Sequence, residues 1–435
     1  MRILLGTYRL SLNRFNYLVA YLGLIHVLTL WNVFRAGAQI SALFIDLVAL
    51  FSVGIAVTFI GRHLCFPQQL KFSVLDGLVF CFLLYQVVSL VLYLQPNNPA
   101  GISSYFYGVH LLVLPIFLYF TTARMTEEEQ EKLLRFICYL HILLVVSGLL
   151  LFVLRPEFYT DYLRERLASR NVEEIWEIYS RLNSYMGSTA VGLLSAVTIA
   201  LLPMVKMKKL TKYLLLIIFL LAVLLTQQRG AYVSACVATL FFLFYRNFSI
   251  RYLMLVVVLS AVAGYFIVSA SFNEVNTLLD YTKNRIAVDL LGGGAFGERS
   301  DSYQKGWRLW SEFPFGMGLG ATTSAADTGG AHPGGQVVDA NYMRILCDIG
   351  FLGLIFFLAI VLAAVRSGLS CRGGAYLLVV IFIYCFQATG TNVFDIFYVN
   401  HLFWLLLGFV NVQPAQLPAP VKAPVLSVDP ALRAG

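Results

Sequence analysis

Residues 133–154 read LLRFICYLHILLVVSGLLLFVL, an almost wholly apolar run. The hydrocarbon core of a bilayer is roughly 30 Å thick, and about twenty helical residues cross it. The run therefore predicts a membrane-spanning helix. Comparable apolar runs lie near 17–34, 40–60, 74–94, 105–122, 188–205, 210–225, 230–246, 251–270, 342–365, 375–389 and 396–411. Together they predict an all-α, polytopic membrane protein with about twelve transmembrane helices.

The composition agrees with a membrane protein. Of the 435 residues, 59% are hydrophobic and only 12% are charged, which is unusual for a soluble domain. The net charge of +8 could indicate a nucleic-acid partner, but basic residues in such a chain mostly mark cytoplasmic loops. We therefore expect membrane lipids, and no nucleic acid, as partners. The seven cysteines show neither metal-type spacing nor a disulfide framework, so no metal and no cofactor are expected.

Basic residues select the predicted orientation. With a cytoplasmic N-terminus, short inside loops carry Arg62, Lys71, Arg124, Lys132, Arg135, Lys206, Lys208, Lys209, Lys212, Arg246, Arg251, Arg366 and Arg372. The positive-inside rule favours this arrangement, with both termini in the cytoplasm. We predict one transmembrane domain over 1–411 and a disordered, Pro/Ala-rich tail over 412–435. Tyr17–Phe34 could instead be a cleaved signal sequence, but its length favours an uncleaved first helix.

Two long outside intervals, 155–187 and 271–341, break the charge rule because long translocated segments escape it. The first interval carries Arg155, Arg164, Arg166, Arg170 and Arg181. Helical spacing of its leucines, and a capping box at Asn171 and Glu174, predict two short helices at the membrane interface. Arg181 differs from the other arginines because it immediately precedes the turn into the next span.

The second interval subdivides at its glycines and prolines. A predicted amphipathic helix, Glu274–Leu290, ends at Gly292–Gly294, and Ser300 is predicted to cap a second helix that runs to Glu312. Pro314 stops that second helix. Aromatic side chains share one of its faces and are candidates for stacking on sugars, although anchoring at the membrane interface explains them equally well. These candidates are Tyr303, Trp307 and Trp310, together with Tyr342 further along the chain.

Phe315–Val337 is rich in glycine, alanine, threonine and serine, which predicts a mobile loop that acts as a lid. Gly316, Gly318 and Gly320 within it are spaced as in some nucleotide-binding loops. No strand precedes these glycines and no helix start follows them, so the sequence excludes a dinucleotide fold.

Arginines on the predicted outer face suggest an anionic substrate. Arg229 lies in a short turn between two apolar runs, where a charge is costly unless it meets an anion, a lipid headgroup or a buried partner. The planar guanidinium binds phosphate in bidentate fashion, so several converging arginines suit a pyrophosphate. At a membrane surface, a lipid diphosphate is the natural ligand of this kind. A nearby base (His332, Asp339 or Glu298) would then activate a sugar hydroxyl.

A transporter or flippase for lipid-linked sugars is the alternative from another functional class. Asp46, and Asp395 together with His401, could form its proton relay within the membrane. Such a transporter needs a polar path through the helix bundle. The predicted spans carry few charges to line one, and the two halves of the chain show no matching interrupted helices.

Five short motifs occur in the order and spacing of a known family. They are Thr226–Gly230, Arg299 through Trp307 to Trp310, Pro314–Gly318, Asp339–Met343 and Gly350–Leu354. The sequence resembles the O-antigen ligase and O-antigen polymerase superfamily, by motif over roughly 225–360 and by topology over the whole chain. The resemblance implies a metal-independent, inverting glycosyltransferase of the GT-C class with a periplasmic active site, in the inner membrane of a bacterium. It also implies a glycan donor carried on undecaprenyl diphosphate.

The resemblance assigns roles to several arginines. Arg181 matches the diphosphate-binding arginine of the first periplasmic loop, Arg299 that of the second, and Arg229 the arginine between the two middle spans. Arg285 is a further candidate for the diphosphate. Arg299 is also expected to assist catalysis.

The resemblance is compatible with two classes of acceptor. Ligases of this family transfer the glycan to lipid A core, and polymerases transfer it to another lipid-linked repeat unit. Ligases usually carry a His-Asn pair three residues before the tyrosine that opens the next span, where this chain has Asp339 and Ala340. The Asp-then-Tyr version favours a polymerase, with Asp339 or His332 as the catalytic base. A ligase is the alternative.

Overall fold

A computed structural model describes residues 2–5, 8–11, 14–34, 53–54, 73–95, 98, 100–123, 125–167, 181–244, 294–323, 338–370 and 374–410. The chain begins with an antiparallel hairpin of β1 (Arg2–Leu5) and β2 (Tyr8–Ser11), in which Arg2 pairs with Ser11. The sequence pattern did not predict this hairpin. Every longer element in the described ranges is helical, as predicted.

Thirteen α-helices follow the hairpin in the described ranges. They are α1 (Arg14–Phe34), α2 (Val74–Val88), α3 (Ile102–Gly108), α4 (Ile116–Thr122), α5 (Glu127–Leu154), α6 (Glu157–Leu167), α7 (Ser188–Leu201), α8 (Lys209–Thr226), α9 (Arg229–Phe244), α10 (Gly294–Glu312), α11 (Asn341–Ser370), α12 (Gly374–Ala388) and α13 (Phe397–Val410). A 3-10 turn, Ser89–Leu94, extends α2, a π-helical segment, Val109–Val113, follows α3, and a 3-10 turn, Val393–Asp395, precedes α13.

Within the described ranges, five helices are long and apolar enough to cross a membrane, and five shorter apolar helices accompany them. The long ones are Val74–Leu94, Ser104–Thr122, Glu127–Leu154, Lys209–Thr226 and Asn341–Leu369. All ten coincide with apolar runs identified in the sequence. The expected spans near 40–60 and 251–270 fall mostly or wholly outside the described residues, so the total of twelve stays a prediction.

Helices α7 and α13 form the centre of the bundle. Their side chains are buried on all sides, and α7 packs against α5, α8, α9 and α12. A helix that is apolar all round belongs inside a larger bundle. Longer helices such as α2, α5 and α11 instead expose leucine, valine and phenylalanine side chains on one side. That pattern suits contact with lipid.

Two spans are interrupted, and other side chains take up the freed backbone groups. Pro115 has no N–H to donate to the Leu111 carbonyl four residues earlier, and Asn400 Nδ2 donates to that oxygen at 2.7 Å instead. Helix α11 kinks at Ile349 and Gly350, and Tyr85 Oη donates to the Ile349 carbonyl at 2.8 Å. Such replacements are required inside a bilayer, because an unsatisfied backbone group there costs several kcal/mol.

Helix α10 begins earlier than the sequence predicts. It starts at Gly294, so Ser300 lies inside the helix and does not cap it. Serine is favoured at N-caps, but a helix interior tolerates it, and the residues before Ser300 continue the helix. The predicted end is confirmed, because α10 stops at Glu312, before Pro314. The first of the two short helices predicted in 155–187 is present as α6, whereas the second lies outside the described residues. The location of α6 at the membrane interface stays a prediction.

The two predicted sides of the bundle are separate in the structure. Lys206, in the turn between α7 and α8, forms an ion pair with Glu131 in the first turns of α5. These two predicted cytoplasmic segments therefore share one end of the bundle. At the other end, Tyr162, Tyr185 and Asp339 line one cavity, which brings the two predicted outside intervals together.

Candidate functional site

A cavity of ≈ 570 Å³ opens between the two outside intervals. Its wall combines aromatic rings, carboxylates, an amide and hydroxyl groups. The lining residues are Ile25, Thr29, Tyr162, Tyr185, Met186, Thr189, Asp339, Thr391, Asn392, Asp395, Ile396, Phe397 and Tyr398. They come from α1, α6, the turn before α7 and the start of α7, the entry to α11, the segment between α12 and α13, and the start of α13.

Asp339 lies at the entry to α11 and is held by its neighbours. Its backbone N–H donates to Ser302 Oγ of α10 at 2.8 Å, and Asn392 Nδ2 donates to the adjacent Val338 carbonyl at 2.7 Å. The Asp339 side chain is exposed to the cavity. A carboxylate in this position can accept a proton from a bound hydroxyl group.

A second carboxylate, Asp395, lines the same cavity and was assigned no catalytic or binding role from the sequence. It forms an ion pair with Arg344, which is only 1% exposed. Arg344 lies one helical turn before Asp348, which accepts hydrogen bonds from the Thr322 N–H and hydroxyl groups at 2.8 and 2.7 Å. An arginine within an apolar span is the sequence signal that could have drawn attention to this cluster. Among the described residues His401 makes no hydrogen bond to Asp395, and its Nδ1 bonds to the Phe397 carbonyl of its own helix. Asp46 lies outside the described residues, so the proton relay stays untested.

Two buried histidines support the tyrosines of the cavity wall. The Tyr185 hydroxyl lies 2.6 Å from His26 Nδ1, and burial raises the pKa of Tyr185. Thr198 Oγ1 donates to the Leu194 carbonyl, so His141 Nδ1 must donate to Thr198, at 2.5 Å. His141 Nε2 is then an acceptor for the Tyr398 hydroxyl at 3.2 Å. These hydrogen bonds orient the hydroxyl groups of Tyr185 and Tyr398 in the cavity wall.

Arg181 and Arg229 belong to adjacent turns beside the cavity. The Leu182 N–H donates to the Leu225 carbonyl at 2.9 Å, which joins the turn after Arg181 to the end of α8. Arg181 also interacts electrostatically with Tyr232, less than one turn after Arg229 at the start of α9. The N-terminus of a helix attracts anions through its free N–H groups and its dipole.

The end of α12 connects this arginine pair to α10. The Gln387 side chain lies against Gly230, the residue after Arg229. Two residues beyond Gln387, the Thr389 carbonyl accepts a 2.5 Å hydrogen bond from Tyr303 Oη. Arg299 lies one helical turn before Tyr303 in α10. Gly230 and Tyr303 thus both contact the end of α12, which continues into Thr391 and Asn392 of the cavity.

Residues 214–358 match the family model described as O-antigen ligase. The chain carries an O-antigen ligase family segment. All five motifs that suggested the superfamily lie inside it, so the predicted resemblance is confirmed. The match supports a membrane enzyme of ligase or polymerase type that handles polysaccharide, with lipid-linked glycans as substrates. None of the curated proteins compared with the chain matches it.

Other predicted site residues of the O-antigen ligase family segment lie in several places. His332 and Arg285 fall outside the described residues, and Glu298 and Arg299 are located by their backbone in α10. Tyr303 and Tyr342 use their hydroxyls to bond the Thr389 and Cys385 carbonyls of the α12 region. Those two contacts join α10 and α11 to α12.

The two tryptophan rings of α10 in the O-antigen ligase family segment contact each other at a tilted angle. The ring centroids of Trp307 and Trp310 are 4.9 Å apart, and Trp307 is 59% exposed. Neither ring is among the side chains that line the cavity in the described part of the chain. Sugar stacking and interface anchoring therefore both stay predictions for this pair.

The glycine-rich part of the O-antigen ligase family segment is a packed turn. Residues 316–323 are buried, and the Met317 and Gly318 N–H groups donate to the Cys347 and Asp348 carbonyls at 2.8 and 2.7 Å. These carbonyls are freed by the kink in α11. The prediction of a mobile lid is therefore wrong for 316–323, because the turn supplies hydrogen bonds that the kinked helix lacks. Residues 324–337 lie outside the described ranges.

Proposed function

We propose that the chain is a membrane glycosyltransferase that moves a glycan from undecaprenyl diphosphate to a sugar hydroxyl. The observation that carries this proposal is the cavity in which Asp339 faces the turn of Tyr185 and Met186, a turn that begins at Arg181. The residue that we propose as proton acceptor and the turn that follows the proposed anion-binding Arg181 line the same cavity, which supports the proposal. The O-antigen ligase match over 214–358 supports the same chemistry.

In the proposed reaction, Asp339 accepts the proton of the acceptor hydroxyl. The hydroxyl oxygen then attacks the anomeric carbon of the donor sugar, and the bond between that carbon and the diphosphate oxygen breaks. Undecaprenyl diphosphate leaves with the bonding electrons. A single displacement of this kind inverts the configuration at the anomeric carbon, and no metal takes part in it.

Arginines stabilise the negative charge that develops on the leaving diphosphate. Arg181 and Arg229 are assigned to the diphosphate because their turns are joined beside the cavity. The start of α9 adds a helix N-terminus to this anion site. Arg299 completes the set from α10, and Arg285 is retained as a further candidate. Charge stabilisation of this type is usually the largest single contribution to catalysis.

A repeat-unit polymerase is the function we favour. Asp339 and Ala340 occupy the positions of the His-Asn pair that ligases carry, and Asp339 lies in the cavity wall. The description of the matched family favours the second candidate, an O-antigen ligase that transfers the polymer to lipid A core. The two candidates share the donor and the chemistry and differ only in the acceptor.

We assign the cavity to the periplasmic side of a bacterial inner membrane. The basic segments around 124–135 and 206–212 lie at the opposite end of the bundle from the cavity, as the ion pair between Lys206 and Glu131 indicates. Under the positive-inside rule that end is cytoplasmic. Lipid-linked glycans would then reach the cavity from the outer leaflet.

Loss of the protein in its native cells separates the two candidates. A missing polymerase leaves single repeat units attached to the final acceptor, whereas a missing ligase leaves long chains on the carrier lipid. We expect single repeats on the final acceptor, detected by gel electrophoresis of the surface glycan. Accumulation of long, carrier-linked chains would instead identify a ligase.

A further inference from the structure

Among the described residues, four aromatic rings line the cavity, and they differ in how accessible they are. Tyr185 and Tyr398 are only 1% and 2% exposed, so their rings belong to the packed core. The Phe397 ring is partly exposed, but it lies against the His401 ring, with the two centroids 4.0 Å apart. Tyr162 is partly exposed at the edge of the core. Tyr162 can therefore offer ring surface to a molecule in the cavity.

The packing of α6 explains the position of Tyr162. Tyr159 and Leu163, one helical turn apart, are each 4% exposed, and α6 packs against α1. Residues three or four apart lie on the same side of a helix, so Tyr162 lies beside this buried stripe. Glu157 and Asp161 are exposed on the other side of the helix. The helix thus holds one aromatic ring at the edge of its buried face, where the cavity lies.

The surroundings of Tyr162 suit a neutral sugar. No arginine or lysine is among the described residues that line the cavity. The half-buried Thr189 and Thr391 line it with hydroxyl groups, which can donate and accept hydrogen bonds. The C–H groups on one face of a sugar ring carry a partial positive charge, and the face of an aromatic ring is negative, so the two faces attract each other. The cavity volume of ≈ 570 Å³ lies within the range of about 300–1,000 Å³ that is usual for small-molecule sites.

The aromatic residues selected from the sequence lie elsewhere. Tyr303 and Tyr342 use their hydroxyls to join α10 and α11 to the α12 region, and the Trp307 and Trp310 rings contact each other. None of these four residues is among the described residues that line the cavity. The accessible ring in the cavity wall comes from the first outside interval, as Tyr162.

Building on the proposed function, we propose that Tyr162 is the platform on which the acceptor sugar stacks, and thus a residue that determines acceptor specificity. Asp339 must contact the acceptor hydroxyl to remove its proton, and Tyr162 lines the same cavity as Asp339. A sugar that stacks through its C–H face keeps its hydroxyl groups at the ring edge, where the polar groups of the cavity wall can bond to them. The donor diphosphate then binds toward Arg181, beside the cavity.

The test uses the purified full-length protein in liposomes, with a saturating undecaprenyl-diphosphate-linked oligosaccharide from the native cells as donor. The acceptor is a labelled lipid-linked repeat or lipid A core, whichever the wild-type protein extends. Tyr162→Leu removes the ring and should raise the KM for the acceptor roughly tenfold, with kcat within about threefold of the wild-type value. Tyr162→Phe keeps the ring and should recover the affinity, with a KM no more than about threefold above the wild-type value. Binding of undecaprenyl diphosphate by either variant should stay within about twofold.

Tyr139→Leu is the matched control, because Tyr139 is 54% exposed on α5 and does not line the cavity. Its KM for the acceptor should equal that of the wild type. If Tyr162→Leu has no thermal unfolding transition, Tyr162→Met takes its place with the same expectations, since methionine adapts to irregular packing.

Three results would overturn the proposal. One is a wild-type KM for Tyr162→Leu. Another is a KM raised as much by Tyr162→Phe, because the hydroxyl and not the ring would then bind the sugar. The third is an equal loss of affinity for undecaprenyl diphosphate, which would place Tyr162 in the anion site. If the wild-type protein extends neither acceptor, the proposed function itself fails, and this inference fails with it.

Discussion

At the scale of single residues, side chains of the same type have different environments in and around the cavity. Asp339 is exposed in the cavity, its backbone N–H donates to Ser302, and it is the residue that we propose as proton acceptor. Arg344 is buried among carboxylates, whereas Arg181 belongs to a turn at the cavity edge. The proposed roles of these side chains therefore follow from their environment and not from residue type.

Replacing Asp339 tests the proposed base. Asp339→Asn keeps the size of the side chain and removes its ability to accept a proton, so kcat should fall about a hundredfold to ten-thousandfold. The measurement is the initial rate of glycan transfer at saturating donor and acceptor. Glu312→Gln serves as the control, and it should leave the rate unchanged. A rate for Asp339→Asn within a few-fold of the wild type would remove Asp339 from the mechanism.

Replacing Arg181 tests the anion site. Arg181→Ala removes a charged hydrogen-bond donor, and affinity for undecaprenyl diphosphate should fall roughly tenfold to a hundredfold. Arg181→Lys keeps the charge but loses the planar fork, so it should recover only part of the affinity. The measurement is a binding titration of each purified variant. Arg308→Ala, an exposed change on α10, is the control. If Arg181→Ala binds undecaprenyl diphosphate as well as the wild type does, Arg181 is not part of the diphosphate site.

At the scale of elements, the kink in α11 and the glycine-rich turn form one unit. Gly316 has φ 97°, and a Cβ atom there would lie 2.5 Å from the Asp348 carbonyl oxygen. Gly350, at the kink, has φ 70°, and its Cβ would lie 2.4 Å from the Phe315 carbonyl oxygen. A side chain at Gly316 would therefore collide with the backbone of α11, and a side chain at Gly350 would collide with the backbone of the turn. The same contacts place Asp348 against the turn, one helical turn after Arg344, which is ion-paired with Asp395.

Gly316→Ala should therefore destabilise the protein by about 2 kcal/mol or more, because it combines a strained left-handed backbone with a clash against backbone. The measurement is the midpoint of thermal unfolding in detergent. Gly23→Ala is the control, since Gly23 lies in α1 and its Cβ would meet Phe136 at an ordinary 3.7 Å. An alanine in that helix should leave stability unchanged or slightly higher. Equal midpoints for the two variants would contradict the account of the kink.

The sequence predicts the helices well and the turns poorly. Apolar length alone places α5 and α11, because a bilayer dictates how many apolar residues a span needs. The same reasoning treats glycines 316, 318 and 320 as flexible, because glycine is common in mobile loops. Their real role depends on a kink in α11, which is far away along the chain. A contact between two segments that are separated in the sequence cannot be predicted from the residue pattern of either segment alone.

The site shows the same limit. Asp339 and Arg181 are predicted from motif and position, and the structure brings their segments to one cavity. Asp395 and Arg344 were given no role in the site, because they lie 51 residues apart and only tertiary packing makes them a pair. His26 was missed as well, since a lone histidine in an apolar run carries no sign of the tyrosine that it supports.

At the scale of the whole molecule, the chain separates its basic end from its cavity end. The ion pair of Lys206 with Glu131 marks the first end, and the cavity shared by Tyr162, Tyr185 and Asp339 marks the second. Segments that are distant in sequence, including α1, α6 and the entry to α13, come together at that cavity. The central helices α7 and α13 hold them in place. Function is therefore expected to require the complete bundle.

Transfer by the purified protein tests this account most directly. The full chain in liposomes receives an undecaprenyl-diphosphate-linked oligosaccharide as donor, with either a second lipid-linked repeat or lipid A core as acceptor. We predict a lengthened glycan on the lipid-linked repeat, an inverted linkage, and release of one undecaprenyl diphosphate for each transfer. Binding of both substrates without transfer of sugar to either acceptor would contradict the account.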